Sequence, residues 1–206
     1  DMIDALHEEN IKACIYTTVA WEEVVANAHP EWRQMHEDGS FAVMDPSADG
    51  VTIQPGMWKF TDFAHPDFQD YYEAHLIELL ENYKADGYWI DIVFYYPGAT
   101  WSEPCKKIRK KLGLTGNKQR EHLLVEYYAQ VEFCKRMTKV IHSRQPEASI
   151  FYNTPNNRYV DANTGVLGST KHQTHIEIES LPTGFWGYHH YPRNARHLGN
   201  KGMEWL

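Results

Sequence analysis

The stretch "DGYWIDIVFYYP", Asp86 to Pro97, decides the fold. Asp-Gly is ordinary turn chemistry, so Asp86 is expected to have no catalytic role. Residues 88 to 94 are rich in β-branched and aromatic side chains, which favour a strand. One carboxylate, Asp91, stands inside that apolar run. Side chains alternate along a strand, so Trp89, Asp91 and Val93 share one face while Tyr88, Ile90 and Ile92 share the other. An ionised Asp on a buried strand face is costly unless something compensates it. Asp91 therefore has either an Arg or Lys partner or a polar cavity to point into.

Working outward, "IKACIYTTV" (11–19) reads as a strand, preceded by a helix over residues 1 to 9 that stops at Asn10. "MWKFTDF" (57–63) is a second strand candidate, and the turn-rich stretch 20–56 before it is irregular. His65-Pro66-Asp67 opens a helix, with proline at its start and an acid in its first turn, and the apolar stripe runs to Tyr83. After the strand at 87–94 comes a loop with "YYPGATWSEP". The longest helix is expected over 118–143, a fourth strand at "ASIFYN" (148–153) and a fifth within "HQTHIEIES" (172–180).

Strands alternating with helices signal parallel β/α units, and the candidates are an open doubly wound sheet and an eight-stranded barrel. No glycine-rich phosphate loop follows any strand, which disfavours nucleotide binding. Polar and aromatic residues stand where strands end, which is where a β/α barrel keeps its active site. The expected fold class is thus α/β, of the (β/α)8 TIM-barrel type. About five strands are legible where a barrel has eight. Residues 1–206 are accordingly read as a single catalytic-type barrel domain, a fragment missing the first strand and the last one or two. A smaller complete α/β fold with similar local motifs is the alternative.

Composition narrows the function. A net charge of −8 argues against nucleic acid, whose binding rests on basic surface, and against an anionic membrane. No apolar run approaches the roughly 18 residues of a membrane span. Aromatics make up 14% of the chain, with 7 Trp and 13 Tyr; they suit either a large aromatic core or stacking on sugar faces. The three cysteines make no closed disulfide framework. No signal peptide is visible and the chain starts at Asp1, so compartment is not readable.

A second acidic stretch is "HIEIESLP" (175–182). His175, Glu177 and Glu179 share one face, with Glu179 at the carboxyl end and Glu177 one layer deeper. Two acids converging at a barrel mouth are the equipment of a glycosidase, one as nucleophile and the other as general acid. Burial beside aromatics would raise the pKa of the acid, and Trp186 and Tyr188 are near enough in sequence to supply that wall.

Several of these residues carry a family resemblance. "DGYWIDIVF" resembles the strand motif of retaining glycosidases of the α-L-fucosidase type, family 29, in which the second Asp is the nucleophile; the match here is Asp91. "IESLPTGFWGY" resembles the later stretch in which a Glu precedes Trp-Gly-Tyr, and its match is Glu179 as acid/base, with Glu177 as the other candidate. "IKACIYTTVAWEE" resembles the strand ending in Tyr-Tyr-Ser with a nearby Trp; Tyr16, Thr17, Thr18 and Trp21 stand in that place. A related glycosyl-hydrolase-like group shares the segment leading into "DGYWID". The histidine pair of family 29 belongs near an early strand, whereas His189-His190 follows Glu179.

The resemblance implies a glycoside hydrolase removing a terminal, α-L-fucoside-like sugar with retention, with galactoside or arabinoside as alternative sugars and a non-catalytic carbohydrate-binding barrel as another class. Trp21, Trp89 and Trp186 are candidates for sugar stacking or for core. Tyr16, Asn153 and Asn156 end or follow strands and could bond hydroxyls, although Asn is also a turn former. His175 and His189 could contact sugar, or be a satisfied core residue and a solvated loop residue respectively. The histidine spacings make no convincing metal site, so neither cofactor nor metal is expected.

Overall fold

The structure, a computed structural model, describes residues 2–44, 58–154, 171–175, 177, 192 and 196. In chain order its elements are α1 (Met2–Glu8), β1 (Cys14–Thr18), α2 (Glu23–Ala28), a 3-10 turn (Pro30–Trp32), β2 (Val43–Met44), β3 (Trp58–Lys59), α3 (Pro66–Asn82), β4 (Gly87–Asp91), α4 (Glu103–Leu112), α5 (Gln119–Arg144) and β5 (Ser149–Tyr152). The strands β1, β4 and β5 lie side by side in that order, all parallel. Parallel neighbours need long crossovers, and here α3 joins β1 to β4 while α4 and α5 join β4 to β5. This is part of a β/α barrel.

The two faces of the sheet have different work. Ile15, Tyr88, Ile90, Ile150 and Tyr152 face the helices. They share a core with Phe68, Tyr72 and Leu76 of α3 and Phe133, Met137 and Ile141 of α5. Arg136 of α5 clasps Asp70 and Glu73 of α3 at 2.5 and 2.6 Å across the outside. The opposite face is layered by the register: Cys14–Gly87–Ser149, then Tyr16–Trp89–Phe151, then Thr18–Asp91. A Cβ on Gly87 would lie 2.0 Å from the Ser149 hydroxyl, 2.9 Å from its carbonyl and 3.0 Å from the Cys14 sulfur, so the lowest layer has room only for glycine there. Asp86, just before it, takes the Lys12 ammonium, the His7 ring and the Ala13 N–H; Lys12 first, then these, hold its carboxyl well below the usual carboxylate range.

Four expectations need correction. Of the strand expected over 57–63, Trp58–Lys59 does form a strand, but it does not join the parallel sheet, and residue 57 lies outside the described residues. Trp58–Lys59 pairs antiparallel with Val43–Met44, and the next backbone groups bond to Ala20 and Gln34, so that segment is tied within its own excursion and not to the sheet. The stretch read as irregular contains α2 and the 3-10 turn. The unread helix α4 starts on Ser102, whose hydroxyl accepts the Cys105 N–H, and stops at Gly113 with φ +67°. Its apolar residues, Cys105, Ile108 and Leu112, recur at helical spacing but are few and stand among lysines and Arg109. Residues 172–175 form turns and bends where a fifth strand was expected to begin. One backbone bond, Thr174 to Ile150, runs beside β5, and the Gln173 and Thr174 side chains take the N–H groups of Tyr152 and Ile150. The rest of that expected strand, 176 and 178–180, lies outside the described residues. Among the described residues no helix is long and apolar enough to cross a membrane.

Candidate active site

Asp91 ends the central strand of the three and is 8% exposed. Its Oδ2 accepts the Tyr16 hydroxyl at 2.6 Å. Its Oδ1 accepts the Asn153 amide at 2.8 Å and the N–H of Ile92 at 2.8 Å. None of these partners is a cation. Of the two arrangements open from sequence, no ion pair to Asp91 occurs among the described residues, and neutral donors hold the carboxylate on the inner face of the barrel wall.

The Ile92 bond has a structural cost. Ile92 sits at φ +56°, a left-handed conformation that a β-branched residue rarely adopts. Such strain persists only where the surroundings over-determine it. Here the Ile92 side chain is packed among Ala20, Ala42, Phe60 and Ala99, and its carbonyl accepts the Ala20 N–H at 3.2 Å. The kink turns the Ile92 N–H back onto Asp91. It also ends the alternation: Val93, expected beside Asp91, packs instead into the helix-side core.

One layer below, the rings of Tyr16 and Trp89 lie 5.2 Å apart, Trp89 stacks on Phe151 at 5.6 Å, and Phe151 on His175 at 6.0 Å. The Trp89 indole N–H donates to Glu177 Oε2 at 2.8 Å, and His175 Nε2 meets Glu177 Oε1 at 2.9 Å. Both Glu177 oxygens are therefore engaged at the depth of Trp89 and not of Asp91.

The structure thus gathers Tyr16, Trp89 and Asn153 around Asp91, with His175 and Glu177 beneath. Trp21 stands in a neighbouring aromatic group, stacked on Trp58 at 4.3 Å and edge-on to Phe60. Asn156, Glu179, Trp186, Tyr188 and His189 lie outside the described residues. Sequence reasoning missed Phe151 as an inner-face residue and the Ile92 N–H. A period-two count back from Asn153 would have found the first; no sequence signal announces the second. Among the described residues no group of three His, Cys, Asp or Glu could hold a metal ion.

A second buried carboxylate, Asp62, was hidden inside the misread strand. It accepts the Tyr95 and Ser102 hydroxyls and the Ala64 N–H, joining the segment before α3 to the loop between β4 and α4. Burial with no cation in contact pushes its pKa up.

Parallel strands with helices outside and polar groups at the strands' carboxyl ends define the class as a β/α barrel. Residues 1–175 match the glycosyl hydrolases family 31 TIM-barrel domain, and the chain belongs to that family. The family is 31, and not the family 29 that the quoted motifs resemble. Alpha-L-fucosidase isoenzyme 2 from Paenibacillus thiaminolyticus is similar in structure, with 25% identity and a TM-score of 0.77 over 99% of this chain and 29% of that one. The chain therefore spans less than a third of that protein's length. The cycloalternan-forming enzyme from Listeria monocytogenes is similar at 13% identity and TM-score 0.58, over 100% of this chain and 18% of that one. The glycoside hydrolase domain of PelA from Pseudomonas aeruginosa is similar at 11% and 0.53, over 98% and 69%. The last two likenesses bear on the fold alone. No curated protein sequence matches the chain.

Proposed function

We propose that this chain carries the nucleophile of a retaining glycosidase that removes a terminal, α-L-fucoside-like sugar from glycans, with Asp91 as nucleophile and Glu179 as acid/base. The observation that carries it is the setting of Asp91: a carboxylate at the carboxyl end of a barrel strand, held by three neutral donors and no cation. An acid that must form a bond to carbon needs to be fixed without losing its charge to a neighbouring cation, and Asp91 stands where a barrel keeps its reacting groups.

The donors also distinguish its two oxygens. Oδ1 accepts two hydrogen bonds and its lone pairs are used; Oδ2 accepts one, from Tyr16. Oδ2 is therefore the oxygen that attacks the anomeric carbon, forming a glycosyl ester as the leaving oxygen takes a proton from Glu179. Glu179 then deprotonates water, which displaces Asp91 with net retention. With both its oxygens engaged by Trp89 and His175, Glu177 supports the floor of the site and leaves the acid/base role to Glu179.

Family membership supports a glycosidase and leaves the sugar to experiment. A panel of aryl glycosides, with α-L-fucoside, galactoside and arabinoside among them, identifies it. Asp91→Asn should abolish turnover in a folded protein. Glu179→Gln should recover turnover of activated aryl glycosides on adding azide, which replaces the water that a missing base cannot activate. A folded Asp91→Asn variant with full activity would refute the assignment.

A further inference from the structure

A groove of about 970 Å³ opens between residues 36–40, the loop 95–100 that follows β4, and the start of α5. Loops after the strands' carboxyl ends build the catalytic face of a barrel, so the groove lies on the same face as Asp91. Asp91 is not among its lining residues, and at its edge the Tyr96 ring packs on Phe60 at 5.4 Å and meets His36 edge-on at 5.9 Å. Carboxylates line it at Glu37, Asp38 and Glu126, amides at Asn117 and Gln119. Among the described residues no Lys or Arg is in the lining, and its carboxylates disfavour phosphate and sulfate as occupants.

The rim is organised from inside the protein. Arg109 is 3% exposed and lies over the Trp101 ring at 3.9 Å. It donates to the Thr100 carbonyl and hydroxyl, each at 3.0 Å, to the Gly116 carbonyl at 2.9 Å, and to His122 Nδ1 at 3.0 Å. A guanidinium can only donate, so Nδ1 must accept and the His122 proton sits on Nε2. Burial, and then Arg109, hold the imidazole pKa down, in keeping with that neutral form. Nε2–H then donates to Asn117 Oδ1 at 2.5 Å, which turns the Asn117 N–H₂ outward onto Glu37. A chain of defined polarity thus runs from a buried cation to a carboxylate at the groove's edge. Glu37 and Asn117 are thereby fixed at the rim, and a carboxylate and an amide are groups that bond sugar hydroxyls.

We propose that this groove is a second carbohydrate site, binding a neutral sugar unit of a glycan apart from Asp91, with Glu37 and Asn117 reading hydroxyls and Tyr96 and His36 forming the ring wall. It rests on the glycosidase reading above only in taking glycans as the ligand class.

The test is amide chemical-shift mapping on the chain and on Asp91→Asn, with 2′-fucosyllactose and maltotriose as probes. At least one sugar should shift His36, Tyr96 and Asn117 in both proteins. Glu37→Gln and Asn117→Ala should each weaken that binding about fivefold, the loss of one hydrogen bond, while leaving shifts at Tyr16 and Trp89 unchanged. Shifts at Tyr16 and Trp89 with none in the groove would overturn the second site and leave the glycosidase reading standing. No shift at either place would overturn both. Saturable shifts in the groove with spermidine and none with either sugar would overturn the sugar assignment in favour of a cation site.

Discussion

The left-handed Ile92 should narrow the usual gap between two substitutions. Nearly everywhere in a strand or loop, glycine is less stable than alanine by about 0.5–1 kcal/mol, because it has more backbone freedom to lose. At φ +56° alanine keeps the strain of the left-handed region, about 1–2 kcal/mol, and glycine does not. Both variants lose the buried side chain beyond Cβ from among Ala20, Ala42, Phe60 and Ala99, at about 2–5 kcal/mol, and glycine loses the buried Cβ as well, about 0.8 kcal/mol more. Subtracting one from the other removes the shared loss, and the relieved strain of about 1–2 kcal/mol then offsets the roughly 1.3–1.8 kcal/mol by which alanine would otherwise lead, so the two variants should lie within about 1 kcal/mol of each other. Urea unfolding of the two variants measures the difference through their midpoints, and for a chain of this size it corresponds to a few degrees in Tm. If the alanine variant is instead the more stable by about 1.3–1.8 kcal/mol, the backbone after Asp91 is not left-handed and the Ile92 N–H is not aimed as described.

Three further outcomes are expected. Tyr16→Phe removes the one donor on Asp91 Oδ2, a bond to a charged acceptor worth about 1.5–3 kcal/mol, so kcat/KM should fall about 10–100-fold with the fold intact by circular dichroism. Gly87→Ala should lower stability by roughly 1–3 kcal/mol in thermal unfolding, because its Cβ meets the Ser149 backbone and the Cys14 sulfur as well as a rotatable hydroxyl. Asp62 has a folded pKa raised above its unfolded value, so the folded state binds the extra proton and stability is lost as pH rises from about 4 through the folded pKa. Asp62→Asn should remove that part of the pH dependence, read by urea midpoints across pH 4 to 8, and a variant curve of unchanged slope there would contradict it.

The parts of the fold that could be read from sequence were those where one physical signal dominates. β4 is a short β-branched and aromatic run closed by turn chemistry, and α3 and α5 carry long apolar stripes against a single core. Asp91 was legible because a carboxylate in such a run has few explanations. Trp58–Lys59 was misread because an aromatic stretch says nothing of its partner, and its partner lies within the same excursion. α4 escaped because it is short and mostly charged, so its three spaced apolar residues, Cys105, Ile108 and Leu112, and its caps Ser102 and Gly113 read as part of a loop. Asp62 and the Arg109–His122–Asn117–Glu37 chain join segments distant in sequence, and no local pattern reports such meetings.

The central claim is that Asp91 forms a covalent bond to the sugar. The direct measurement is intact-protein and peptide mass spectrometry after incubation with 2-deoxy-2-fluoro-L-fucosyl fluoride, whose fluorine slows departure of the intermediate. The expected result is one sugar attached per chain, on the peptide holding Asp91, and absent from Asp91→Asn. Turnover of an aryl fucoside with no trapped adduct, or an adduct on a different carboxylate, would contradict the account.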